Sequence, residues 1–236
     1  MNLHEISQTI ALILGAYEPT QAPPTRQEFS LLLKVNNLKH FKQKTGLPEQ
    51  YQPGMPLPAQ VFEITQKMTQ DLRRFKVFMG KKGTAPLMLD TNGYADVPSD
   101  MYYPSSFTYQ YFTSFKDRWR TVDVLTDEEY DKRLGSAVEQ PTKYWPVCNF
   151  QKDFIRFVPI DMQYINFNYI RYPVDPEYVM KLENNIPEYD AANSTELEWD
   201  ETNQIDIMML VLVDLGMFLK REDIIKYATQ AKTQGV

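Results

Sequence analysis

Catalysis needs nucleophiles, bases or metal ligands brought together, and this sequence offers few of them. It has two histidines, His4 and His40, and one cysteine, Cys148. Both histidines fall in helical patterns of the N-terminal third. Cys148 and the serine-bearing segment 99–106 lie far along the chain, and no local signature joins a base to a Ser or Cys. His40 stands among Lys39, Lys42 and Lys44, which predicts a solvated helix face. Glu128 and Glu129 are adjacent carboxylates, but neighbours on a helix point about 100° apart. Their place in a first turn suits the helix dipole instead. Gly80-Lys81-Lys82-Gly83 lacks the spacing and hydroxyl of a phosphate loop and reads as a helix exit. Segment 183–206 carries eight acidic residues and no Lys or Arg, without the Asp-x-Asp-x-Asp-Gly rhythm of a calcium loop. It reads as an acidic loop that docks on a basic neighbour or faces water. The expectation is no catalytic, no cofactor-binding and no metal-ligating residue, and a chain that is not an enzyme.

The bulk properties point to contacts with protein. Of 236 residues, 43% are hydrophobic, enough for a substantial core. The 15 Tyr and 13 Phe suit either half-wet protein interfaces or a β-rich core. A lone cysteine excludes a disulfide framework within the chain and fits folding in a reducing cytoplasm. No signal-peptide pattern opens the chain, and no apolar run approaches a membrane span, so a soluble protein without a membrane partner is expected. Residues 1–85 hold 11 Lys/Arg against 6 Asp/Glu, a balance of +5, and residues 86–236 hold 14 against 25, a balance of −11. Such a split marks either differently charged neighbours or two solvated faces. The aromatics near the basic residues Lys67, Arg73, Arg74 and Lys76 fall on the apolar stripe, and the chain is acidic overall, so specific nucleic-acid binding is not expected.

Three stretches must position whatever surface does the work. Leu3, Ile6, Ile10 and Ile13 predict a first helix that stops near Ala16. Thr25 and Glu28 form a capping-box pattern before a second helix through Leu31, Leu32, Val35 and Leu38 to Phe41. Pro48, Pro53, Pro56 and Pro58 mark an extended connection. Val61, Ile64, Met68, Leu72, Phe75 and Met79 then predict a third helix. The period changes at Pro86. Asn92-Gly93 predicts a hairpin joining 87–90 to 94–98, with positive φ at both turn residues. Strands are expected over 107–112, 118–125, 154–158 and 163–170, the last half-buried through Ile165, Phe167 and Tyr169. Thr126 and Glu129 predict a second capping box. An apolar helix over 205–215, stopped by Gly216, and a last helix through Ile224, Ile225, Ala228 and Ala231 predict a closing helical hairpin. The fold expected is α+β: a helical region (1–85), a central antiparallel β-rich region (86–182), then an acidic loop and helical hairpin (183–236) packed on the helical region.

A series of phrases adds a resemblance. They are LMLDTNGYADVPSD from Leu87, YPSS from Tyr103, VDVLTDEEY from Val122, QPTKYWP from Gln140, NYIRYPVDPEY from Asn168 and ELEW from Glu196. In this order, over residues 86–236, they resemble structural proteins of phages and prophages of Bacteroidetes, the crAss-like phages included. They are also similar, more loosely, to the head-to-tail adaptors of short-tailed phages. The resemblance implies a virion neck or tail protein, assembled in the bacterial host cytoplasm. It implies a cyclic ring of this chain, a dodecamer, with the portal protein and further neck or tail rings as partners. DNA would pass through the channel without sequence-specific binding. The competing expectation is a tail recognition module that binds a host-surface glycan or protein through Trp119, Trp145 and Trp199.

Overall fold

The structure is a computed structural model that describes residues 1–17, 24–45, 70–80, 84–112, 117–162, 164–183, 186–218, 225–226 and 229–230. The described helices are α1 (Leu3–Tyr17), α2 (Arg26–Thr45), α3 (Asp127–Gly135) and α4 (Glu201–Phe218). The strands are β1 (Lys76–Met79), β2 (Tyr94–Asp96), β3 (Met101–Phe112), β4 (Asp117–Val124), β5 (Val147–Phe150), β6 (Phe154–Val158), β7 (Ile165–Arg171), β8 (Met180–Glu183) and β9 (Ile186–Tyr189). The fold is α+β. Two compact units divide it: Met1–Arg74 with Pro173–Val236, and Phe75–Tyr172. The breaks that composition suggests at 86 and 183 fall about ten residues late on each side. The reason is that β1 belongs to the sheet while 173–182 belongs with the helices.

In the helical unit, Leu3, Ile6 and Ile10 of α1 are buried, as their spacing predicts. Glu28 accepts hydrogen bonds from the backbone N–H and hydroxyl of Thr25 at 2.8 Å each, which caps α2. Those bonds hold the Glu28 carboxyl below its ordinary range. The buried face of α2 is not the leucine stripe. Leu31 and Val35 are exposed, while Phe29, Leu33, Asn36, Asn37, His40 and Phe41 point inward. Three of these six are polar, and each finds its partner in the C-terminal part of the chain. Asn36 Nδ2 donates to Asp214 at 2.9 Å, His40 Nε2 lies 3.2 Å from Asn203 Oδ1, and Asn37 accepts from Trp199. His40 is therefore a core residue, 2% exposed, and not the solvated side chain its lysine neighbours suggest.

The same unit joins the two halves of the charge split through three ion pairs. Lys34 pairs with Asp175 at 2.6 Å, Lys39 with Asp214 at 2.8 Å, and Arg74 with Asp200. Basic residues from the first third thus meet acidic residues from the last third inside one unit. α4 starts at Glu201 and runs through Gly216 to Phe218, because Gly216 is buried in an apolar helix and adopts no positive φ. Most of the expected last helix lies outside the described residues, as do the Pro-rich segment 48–58 and the helical pattern 61–69.

The sheet unit holds seven strands in the order β1-β7-β3-β4-β5-β6-β2. All pairs are antiparallel except β4 with β5, which is parallel through Asp123↔Val147 and Val124↔Cys148. The predicted third helix gives way before its end: Leu72–Phe75 is a single 3-10 turn, and Lys76–Met79 pairs with β7. Gly80 therefore exits a strand, with φ +84. The Asn92-Gly93 turn is present, but β2 pairs with β6 rather than with 87–90. Only Gly93 has positive φ there, because Asp90 Oδ1 accepts from the N–H groups of Asn92 and Tyr94 and shapes the turn. Thr126 and Glu129 form the expected capping box on α3.

The sheet curls around one core. Phe107 of β3 stacks on Phe167 at 4.3 Å and meets Phe157 of β6 edge-on at 5.5 Å. β4 and β5 separate β3 from β6 in the sheet, so only curvature brings those rings together. Asn166 is buried as well, at 2%, although alternation places it on the solvent face. Its side chain lies against Gly80, where a Cβ would meet Asn166 Oδ1 at 2.0 Å.

Candidate interaction site

The strand registers gather four connections at one end of the curled sheet. Val147↔Val158 brings the segment before β5 beside the one after β6. Tyr94↔Arg156 places the 90–93 turn at the same end. Tyr109 pairs with both Arg120 and Ile165, which adds the far end of the β3–β4 ribbon and the start of β7. This rim carries Tyr144, Trp145, Ile160, Tyr164 and Trp119, all exposed.

The rim is held in place by its own contacts. Thr142 and Trp145 exchange backbone hydrogen bonds, N–H to O at 3.3 and 3.0 Å, so 142–145 is a closed tight turn with Lys143 and Tyr144 at its tip. The Tyr109 hydroxyl donates to the Lys143 carbonyl. Lys143 Nζ pairs with Asp161 across the rim, and the Arg120 guanidinium lies over the Tyr144 ring at 5.5 Å. Tyr164 holds φ 55, the left-handed region that a bulky side chain rarely occupies. Trp145 is nevertheless 69% exposed, and its ring sits 6.3 Å from that of Tyr144 at 53°. A large aromatic carried on a braced turn with its face in water suits an anchor for another molecule. Beyond Tyr109↔Ile165, the ribbon formed by 110–112 and 117–119 has no further strand on either edge among the described residues.

The residues with chemical potential lie apart from this rim or within cores. Cys148 is fully buried in the sheet core, and desolvation pushes its thiol up to about 12. Ser106 Oγ accepts from Asn168 Nδ2 at 2.9 Å on the sheet. Glu128 pairs with Lys132 at 2.6 Å, while Glu129 serves the cap. Three acids of the 183–206 stretch have backbone or hydroxyl partners within the helical unit: Glu196 accepts from Leu3 N–H at 2.8 Å and from the Tyr189 hydroxyl, Glu198 accepts from Val174 N–H at 3.0 Å, and Asp190 shapes its own turn. Beside it His4 Nδ1 lies 3.2 Å from the Tyr178 hydroxyl and stacks on Tyr189 at 5.3 Å, while Gln8 occupies its Nε2 at 3.0 Å. Among the described residues no group of three His, Cys, Asp or Glu side chains is arranged to hold a metal ion, and no helix is long and apolar enough to cross a membrane.

The three tryptophans separate. Trp199 is a core residue, 1% exposed, and only Trp119 and Trp145 face water. The rim escaped sequence reading because it is assembled by register from distant loops, although the QPTKYWP phrase that forms its tight turn was visible as a unit. No protein-family model matches the chain, and no curated protein matches it significantly.

Proposed function

We propose that the chain is a non-enzymatic structural subunit of a phage virion neck or tail. It forms a ring with copies of itself, joins portal to tail and surrounds the DNA channel. The observation that carries this reading is the pre-organised aromatic rim. Its tight turn is the phrase from Gln140, and its neighbouring turn is the phrase from Leu87, two of the phrases behind the phage resemblance. Three basic residues of the first half already pair with acidic residues of the second within one unit, so the charge split carries less of this reading than the rim does. The test is electron microscopy of the chain co-expressed with the portal protein of the same phage, with proteomics of the purified virions. A ring of this chain below the portal is the expected result. Virions that lack the chain, together with a portal that never captures it, overturn the reading.

A second reading follows from Trp119 and Trp145, whose exposed faces suit stacking on sugars. Glycan-array binding abolished by Trp145→Ala would favour a recognition module instead.

A further inference from the structure

We propose that the solvent face of the β7-β3-β4 part of the sheet binds a neutral glycan, with a sugar ring stacked on Trp119 and sugar hydroxyls bonded to the amide and hydroxyl side chains beside it. The inference goes beyond the ring reading and does not depend on it.

The face follows from alternation and register. Phe107, Tyr109, Val122 and Phe167 belong to the core, so their chain neighbours take the opposite side of the sheet. Cross-strand pairs set those neighbours in rows. Asn168 faces Ser106, Thr108 faces both Asn166 and Thr121, and Gln110 faces Trp119. Asn168 Nδ2 donates to Ser106 Oγ at 2.9 Å, as two side chains on one side can. From Gln110 to Ser106 the face runs about 14 Å along β3, long enough for a short oligosaccharide.

Composition selects the ligand. Apart from Trp119 these side chains are amides and hydroxyls, and none is charged. Farther along β4 on the same side, Asp123 pairs with Arg133 at 3.9 Å. An ion placed on this face would lose water and gain no opposite charge. Asn166 Nδ2, a donor, and Asn168 Oδ1, an acceptor, are buried without a hydrogen-bond partner among the described residues. Buried polar atoms are otherwise nearly always paired. Together they call for groups that donate and accept at once, as a sugar hydroxyl does and a carboxylate does not. Asn166 forms the floor of the face; Ser106, Thr108, Gln110 and Asn168 are half-buried, and Thr121 is exposed.

Trp119 supplies the stacking surface. Its indole is 54% exposed, and no ring of the described residues packs against it. An aromatic plate with polar groups at its edge holds a ligand by its apolar face and orients it through hydrogen bonds.

The test is affinity electrophoresis of the full chain through gels containing dextran, mannan, xylan or galactan, with alginate as the anionic counterpart. Retardation by at least one neutral polysaccharide is expected, and none by alginate. Trp119→Ala should weaken binding about tenfold or more, with an unchanged circular dichroism spectrum. Thr121→Lys, at an exposed position, puts a charge on the face and should abolish retardation, which keeps the test decisive where Trp119→Ala fails to fold. No retardation in any of the four neutral gels overturns the inference. So does retardation that survives both variants, or that is stronger with alginate. Retardation lost in Trp145→Ala but kept in Trp119→Ala assigns sugar binding to the rim and overturns this site. None of these outcomes bears on the ring, which the portal co-expression tests separately.

Discussion

The indole N–H of Trp199 donates to Oδ1 of Asn37 at 2.7 Å, although 162 residues separate the two. His40 meets the same indole edge-on at 4.8 Å, one helical turn along α2. The helical unit is thus tied across nearly the whole chain by a polar contact within its core. Trp199→Phe deletes the donor together with part of the indole's volume, leaving a buried acceptor unpaired and a small cavity. The expected loss is about 1–3 kcal/mol in urea unfolding. An unfolding midpoint equal to that of the unaltered chain would show the bond to be dispensable.

Asp214 tests one of the ion pairs that join the two halves of the charge split. It is mostly buried and accepts from both Lys39 and Asn36. Asp214→Ala should destabilise by about 1–3 kcal/mol, and a double-mutant cycle with Lys39→Ala should give a coupling of about 0.5–1 kcal/mol. A cycle with no coupling would mean that Lys39 is held by nothing more than proximity.

Gly93 combines φ +82 with a Cβ position 2.9 Å from the Phe157 carbonyl oxygen. Gly93→Ala therefore meets backbone rather than a flexible side chain. A loss of about 1–3 kcal/mol is expected, read as a lower melting temperature. An unchanged melting temperature would contradict the turn geometry.

Alkaline stability follows from three acids held neutral. Burial pushes Cys148 up to about 12. Burial and the bond to Asp100 do the same for Tyr169, and burial and the bond to Glu196 for Tyr189. In the unfolded chain these groups ionise from about 8.5 for the thiol and about 10 for the phenols. The unfolded state thus loses protons first, so stability is complete below about pH 8.5 and declines as pH rises toward about 12. Urea midpoints measured between about pH 8 and pH 11 should fall steadily. A flat or rising midpoint refutes the assignment.

Trp145 separates folding from assembly. Because it faces water, Trp145→Ala should leave unfolding free energy within about 0.5 kcal/mol of the original. The same variant should weaken association with portal or with other copies. A large stability loss would mean that the ring is part of the sheet core.

Local signals were legible in the sequence, and non-local ones were not. Thr25 with Glu28 and Thr126 with Glu129 act within one turn, so their caps could be read directly. Leu72, Phe75 and Met79 keep helical spacing, yet a ladder to β7, some ninety residues away, draws Lys76–Met79 into a strand. Lysines around His40 suggested water, while the deciding partner, Asn203, lies on another helix. Gly216 resembled a stop because glycine favours helix ends, but close packing of α4 carries the helix past it. The rim was least legible of all, since it needs the registers of six strands before its residues become neighbours.

The sheet unit begins and ends on paired strands: Lys76 in β1 faces Ile170 in β7, two residues before the chain returns to the helices. Its entrance and exit are therefore stitched together by its own hydrogen bonds. A segment built this way meets the rest of the chain at two neighbouring points, the arrangement in which insertion of one domain into another is tolerated.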